Sequence, residues 1–426
     1  MNFKMKYRFL AIYLFACFAL LPSAFAAKIF IPMDAEGQAN HLKAYGIAYQ
    51  ALLENVPVDW LLNYKGGSFG IDQVASIERL CKLRGVTYEV MSDAQYGGIL
   101  TTIANPDFNG DVIKLEKAPK VAVYTPNSKE PWDDAVTMAL TYAEIPYDTL
   151  FDDKVLAGKL PEYDWLHLHH EDFTGQYGKF YGAYHNAPWY LKDKEMAEAC
   201  AKSHGFNKVS QLKLAVAKRI RDFVAGGGYM FAMCSAPDSY DIALAAENTD
   251  ICDAVFDGDP IAPDYQQKLD FTKCFAFKDF NLITNPYVYQ KSDIDNTNYR
   301  KVPMSLDYFT LFTFSAKFDP VPTMLCQDHT TTIKGFMGQT TAFRKEVIKS
   351  SVLIMAENKA ANEARYIHGE YGKGTWTFYS GHDPEDYQHA IYDPVTDLSL
   401  HPNSPGYRLI LNNVLFPAAK KKPRKT

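Results

Sequence analysis

The chain has 426 residues, with 44 Lys and Arg against 50 Asp and Glu and a formal charge of −6. A hydrophobic share of 47% belongs to a folded chain and excludes a disordered one. The acidic balance leaves no footprint for nucleic-acid binding, and the length predicts two or three domains, or one large domain with insertions.

Residues 1–26 have the pattern of an export signal. Lys4, Lys6 and Arg8 precede the apolar run Phe9 to Leu21, and Ala24-Phe25-Ala26 supplies a small-residue cleavage pattern. The run is short for a membrane span, so no membrane span is expected. On this reading the protein is exported, to the periplasm or the extracellular space. Without the three cations of the signal, 41 positive charges face 50 negative ones, a balance of −9. Six cysteines remain: Cys81, Cys200, Cys234, Cys252, Cys274 and Cys326. Their even number permits disulfides, and none lies in a CxxC pair of the kind that holds zinc.

From Lys28 to Lys117 strands and helices alternate. Strands are expected at Lys28–Pro32, Val56–Leu62 and Val86–Met91, with helices at His41–Leu53 and Ile71–Leu83, and the alternation predicts a parallel sheet. A second alternating unit opens at Lys120. It has strands at Val121–Tyr124, Tyr147–Leu150, Asp164–His169 and Tyr229–Met233, and helices at Trp132–Ala143 and Val209–Val224. The last of these ends at Gly226-Gly227-Gly228, a C-cap signal. Residues 250–351 are rich in Asp, Phe, Tyr and Pro and read as a β-rich or irregular insertion. Within them Asp257-Gly258-Asp259 lacks the remaining ligands of a calcium loop. A strand at Val352–Met355, a hairpin of Ala364–His368 and Thr375–Tyr379, and a helix at Pro405–Leu415 close the chain before a basic tail, residues 419–426.

Cys234 follows a buried strand and stands between the small residues Ala232 and Ala236. A sharp strand-to-helix turn of this kind presents a nucleophile at a helix N-terminus, beside backbone N–H groups able to hold an oxyanion. This stretch resembles the nucleophile elbow of class I glutamine amidotransferase-like domains. The run Tyr371 to Glu385, with Ser380-Gly381-His382-Asp383-Pro384-Glu385, resembles their closing hairpin and His/Glu motif, most closely in the trehalose-utilisation-protein-like branch. The whole chain is similar to a secreted bacterial family usually labelled asparagine synthetase B, through Trp132 to Val136, Trp165 to Gly175 and Gly335 to Thr341. The resemblance implies a flavodoxin-like parallel sheet over residues 118–418, interrupted by the insertion and preceded by an N-terminal α/β segment, residues 27–117. It also implies Cys234 as nucleophile, His382 as general base and Glu385 as the group that orients the imidazole. ATP-dependent asparagine synthesis is not expected, because no S-G-G-x-D-S loop occurs.

His167 and His169 alternate with Leu166 and Leu168 and so share a sheet face. His169, His170, Glu171 and Asp172 then fall at the strand's carboxyl end, where open α/β sheets bind ligands. With Asp383 they make further candidates for the cleft, and their imidazoles and carboxylates could ligate a metal with His382 or His389. Three functions stay open: a Cys-dependent hydrolase or amidotransferase-like enzyme, a binding protein for a small polar ligand such as a carbohydrate or amide, and a metal-assisted hydrolase. No cofactor is called for by any motif.

Overall fold

The computed structural model describes residues 27–126, 134–388 and 390–419. The stretch read as an export signal, residues 127–133 with the start of the helix expected at Trp132, His389 and the basic tail from Lys420 onward lie outside the described residues. The chain is mixed α/β, with two sheets.

The first sheet contains β1 (Ala27–Ile31), β2 (Val58–Leu62), β3 (Ser68–Asp72), β4 (Glu89–Ser92) and β5 (Asp111–Leu115), in the order β4-β1-β3-β2-β5. Every pairing in it is antiparallel, which corrects the parallel sheet expected for this segment. The cause is the connection between β2 and β3. Asn63, Lys65, Gly66 and Gly67 all take positive φ, and a turn this short can only reverse the chain, whereas parallel strands need a crossover of a dozen or more residues. Three helices accompany the sheet: α1 (His41–Leu53), α2 (Ala75–Arg84) and α3 (Asp93–Ala104). The strand faces alternate as the pleat requires. Ile29, Ile31, Val58, Trp60 and Leu62 face α1, while Phe30 and Leu61 face Tyr96 and Ile103 of α3.

The second sheet is larger. Its parallel part contains β6 (Val121–Tyr124), β7 (Asp148–Leu150), β8 (Trp165–Leu168), β9 (Tyr229–Met233) and β15 (Gly374–Tyr379). They lie in the order β7-β6-β8-β9-β15, so the chain's own order is 2-1-3-4-5. Antiparallel strands continue it: β14 (Glu363–Tyr371), β13 (Leu353–Asn358), β10 (Tyr308–Leu311) and β11 (Thr332–Lys334), with β12 (Phe343–Arg344) beside β14. The insertion therefore does not stand apart, because β10, β11 and β12 are drawn from it. Its remainder is mostly short turns, and one of its segments is fastened to the sheet's helices by the buried Asp241 carboxylate, which accepts from the N–H groups of Phe275, Ala276 and Phe277 at 2.7, 2.7 and 3.0 Å.

Helices α4 (Ala135–Ala143) and α9 (Pro405–Leu415) cover one face of this sheet. The other face carries α5 (Asp152–Leu156), α7 (Val209–Gly226) and α8 (Ala236–Ala245), and α6 (Pro188–Ser203) packs on α7. Helix α1 packs against α4 and α9 as well as against the first sheet. It is buried at ten of its thirteen residues, which is why its apolar pattern has no polar stripe. Among the described residues all six cysteines are free thiols, and no helix is long and apolar enough to cross a membrane.

Gly46 sets the approach of α1 to α4, since a Cβ there would overlap the backbone carbonyl of Ala143. Alanine gains about 1 kcal/mol of helix propensity, but the overlap is with backbone, which cannot swing away. Gly46→Ala is expected to lower stability by about 1–3 kcal/mol net, measured as a shift in the urea midpoint.

Candidate functional site

The carboxyl ends of β6, β8, β9 and β15 converge, and each contributes to one cluster. Cys234 leaves β9 with φ of 55°, the left-handed region that non-glycine residues occupy only under constraint. Two backbone bonds fix it there: its N–H donates to Gly381 O at 3.0 Å, and the N–H of Ala236 donates to His169 O at 2.9 Å. The elbow is thus tied to the ends of both neighbouring strands. Its thiol is fully buried, and burial pushes it up to about 12, against the opposing effect of the Gln339 and Ser235 backbone N–H groups. At neutral pH the sulfur carries its proton.

Three histidines form a chain across the carboxyl ends of the two strands to which the Cys234 backbone is tied. His167 Nδ1 lies 3.1 Å from the carbonyl of Phe231, His167 Nε2 lies 3.2 Å from His169 Nδ1, and His169 Nε2 lies 2.9 Å from His382 Nδ1. A carbonyl can only accept, so His167 must carry its proton on Nδ1. In the neutral tautomers that follow from this, His169 would donate from Nδ1 to His167 and His382 from Nδ1 to His169, which would leave the basic lone pair of His382 on Nε2. Asp134 stands behind the chain. Its Oδ1 lies 3.4 Å from His167 Nε2 and 3.7 Å from His169 Nδ1, and it caps α4 by accepting from Val136 and Thr137 N–H at 2.7 and 3.0 Å. Burial alone would raise its carboxyl, but positive charge on His169 and His167, a hydrogen bond from His167 and the Thr137 amide together hold it well below the usual carboxylate range. A positive charge arriving on the histidines would meet an ionised partner.

Glu385 is not in the orienting position expected of it. Its Oε2 lies 3.2 Å from His401 Nδ1 and accepts from Tyr387 at 2.7 Å, whereas His169 meets the ring nitrogen of His382 that an orienting acid would take. The reason is local: Asp383 accepts from the Glu385 N–H at 2.9 Å, a turn that directs the chain onward. Asp383 itself is buried and also accepts from Thr396 at 2.6 Å and Tyr407 at 2.8 Å, so it anchors the loop beside His382. Asp172 has a similar role after β8. It accepts from the Thr174 N–H and hydroxyl and from the N–H groups of Gln176 and Gly178 at 2.6–2.9 Å.

His169, His170 and His382 bring ring nitrogens within 4.8 Å of one another, as do Asp134, His167 and His169 with their ligand atoms. These are the groups that could hold a metal. Glu171 accepts from His169 N–H at 2.9 Å through Oε2, while its buried Oε1 has no hydrogen-bond partner. Burial, then the negative charge of Asp134, pushes its carboxyl up to about 8. A cavity of about 480 Å³ opens here, lined among others by Pro126, His170, Glu171, Tyr177, Trp189 and Cys200.

Sequence reasoning overlooked Asp134 as a site residue. Its signal was present: an Asp immediately before the helical run Ala135-Val136, after the carboxyl end of a strand. Gln339, from the insertion, gave no such signal.

No protein-family model matches the chain, and no curated protein matches it. Among solved structures, a cytoplasmic protein from Salmonella typhimurium is 10% identical and the match covers 71% of this chain and 100% of that one, at a TM-score of 0.35. A second cytoplasmic protein, from Salmonella typhimurium LT2, is 12% identical over 75% of this chain and 94% of its own, at a TM-score of 0.33. A GH42 beta-galactosidase, Gan42B, is 10% identical over 62% of this chain and 28% of its own, at 0.27. No activity or ligand is taken from these likenesses. Both Salmonella proteins are described as cytoplasmic, and on that finding the expectation of an exported, periplasmic or extracellular protein is set aside.

Glu171 gives the site a pH signature. Its pKa is raised from 4.5 to about 8, so between those values the folded state holds a proton that the unfolded state has released. Stability attributable to this group therefore falls as pH rises through that window, by at most about 1.4 kcal/mol per unit, and levels off above it. Glu171→Gln, which keeps an acceptor for His169 N–H, is expected to gain on the parent protein steadily from pH 4.5 to 8, measured by urea unfolding at each pH.

Proposed function

We propose that this protein is a hydrolase of the class I glutamine amidotransferase-like kind, acting on a small-molecule amide or ester at the carboxyl ends of β8, β9 and β15. The observation that carries the reading is the left-handed conformation of Cys234 at a strand-to-helix turn whose N–H is bonded to the residue before His382. The strand order 2-1-3-4-5 supports the flavodoxin-like assignment. The family labelled asparagine synthetase B remains the resemblance that covers the whole chain, with its synthetase activity excluded from the proposal for want of an ATP loop.

In this reading His382 Nε2 takes the thiol proton as the sulfur attacks the substrate carbonyl carbon. A thiol pushed up to about 12 does not ionise in advance, so the transfer accompanies the attack, as it does for a serine. The imidazolium so formed is stabilised through His169 and His167 toward Asp134, which together replace the single acid of a triad. The same proton then goes to the departing amine or alcohol, and water, deprotonated by His382, releases the acyl group from sulfur.

Incubation with p-nitrophenyl acetate tests this. An acetyl adduct is expected on the peptide that carries Cys234, and it should form roughly a hundredfold more slowly in His382→Ala. Acetylation confined to other residues, or unchanged by the His382 substitution, would overturn it.

A second reading, metal-assisted hydrolysis, is favoured by the three converging nitrogens of His169, His170 and His382. These ligands include no thiolate. Cobalt(II) bound there is expected to give ligand-field absorption without a thiolate charge-transfer band, and His169→Ala is expected to remove that contribution. Absence of that absorption from the parent protein would exclude this reading and leave the first untouched.

A further inference from the structure

A second group of ligand-type residues lies away from the histidine chain, and two of its three members, Asp153 and Cys200, line the same cavity. Cys200 and His204 are four residues apart at the carboxyl end of α6, so both project from one side of the helix. Asp153 of α5 meets them. Its Oδ1 lies 2.6 Å from His204 Nε2 and 3.5 Å from Cys200 Sγ, and the three ligand atoms fall within 4.8 Å of one another.

We propose that Asp153, Cys200 and His204 form a binding site for a zinc-class divalent ion. The donor set is one sulfur, one nitrogen and one oxygen, the borderline mixture that suits zinc and leaves a fourth position for water or a ligand. Ordinary bond lengths of about 2.3 Å to sulfur and about 2.0–2.1 Å to nitrogen and oxygen place tetrahedral S and O about 3.6 Å apart, and N and O about 3.3 Å apart. The sulfur–oxygen separation already fits. The nitrogen–oxygen pair must open by about 0.7 Å from its present hydrogen bond, which the exposed Asp153 side chain allows (75% exposed). Asp153 and Cys200 both line the cavity that His170 and Glu171 also line, so an ion held here borders that cavity. On binding, the Cys200 thiol releases its proton to solvent and the thiolate becomes the ligand.

The other cysteine-containing cluster among the described residues, Asp250, Cys252 and Asp257, differs in one respect. The Lys208 ammonium already sits among Asp250, Asp257 and Asp259 at 2.6, 3.1 and 2.9 Å and supplies the cation.

Cobalt(II) is the probe, because a thiolate ligand gives a near-ultraviolet charge-transfer band that histidine and carboxylate ligands do not. The intact protein is expected to show that band at about one equivalent, and zinc should remove it by displacement. Cys200→Ser should abolish the band, His204→Ala should weaken cobalt binding at least tenfold, and Cys252→Ser should leave it unchanged. Circular dichroism of each variant checks the fold, which the partly exposed Cys200 and His204 do not hold together. Absence of the band from the parent protein, its persistence in Cys200→Ser, or its loss in Cys252→Ser would overturn the site. Because the histidine chain contains no thiol, none of these results depends on the proposed hydrolase.

Discussion

Arg408 is a charge wholly removed from water, and its partners come from three distant parts of the chain. It donates to Met33 O after β1 at 3.0 Å and to Gly66 O in the β2–β3 turn at 2.7 Å, and Asp328 of the insertion lies 3.8 Å away. A guanidinium out of water is tolerated only when paired and hydrogen-bonded, so these segments must arrive together. Removing one member of such a group typically costs about 3–5 kcal/mol, most of it the penalty of leaving the rest unpaired. The effect reaches the neighbouring imidazole: burial first, and then the charge of Arg408, drive His41 down to about 3 and keep it neutral.

Helix α9, which carries Arg408, also carries Tyr407, and the two neighbours point their polar ends to different tasks. Arg408 locks the helix to the first sheet, while Tyr407 donates to Asp383 beside His382. The histidine chain is thus positioned from behind by a helix whose own placement is set by the first sheet. On the other side, Arg365 of β14 donates to Phe336 O at 2.8 Å, and the N–H of His382 donates to Met337 O at 2.9 Å. Buried charge on one side and backbone pairing on the other define where His382 can sit.

The parts of this arrangement that the sequence discloses are those with a strong local pattern. Helices α1 and α9 and strands β6 and β9 fall where periodicity and glycine punctuation place them, and the Cys234 elbow follows from the glycine cap, the apolar strand and the small flanks. Helix α6 escaped because only Tyr190 and Ala201 are buried along it, so it has no apolar stripe. Strand β3 escaped because Gly70 interrupts it, and that glycine is required where the Tyr96 hydroxyl crosses the strand. The meeting of His169 with His382 joins residues 213 apart, and no local pattern encodes it. The resemblance set Glu385 behind His382 although it follows the histidine at three residues where the family has two, and the turn at Asp383 takes the chain elsewhere.

Helix α1 has no solvent side to speak of, and its residues share one continuous core with β1–β3 on one flank and α4 and α9 on the other. A helix belonging equally to two layers makes the N-terminal sheet a structural wall of the larger unit, not a passenger. Cutting the chain near residue 117 would strip the wall and expose an apolar surface over α4 and α9. Residues 27–117, none of whose described side chains joins the histidine cluster, are in this sense part of the foundation on which it rests.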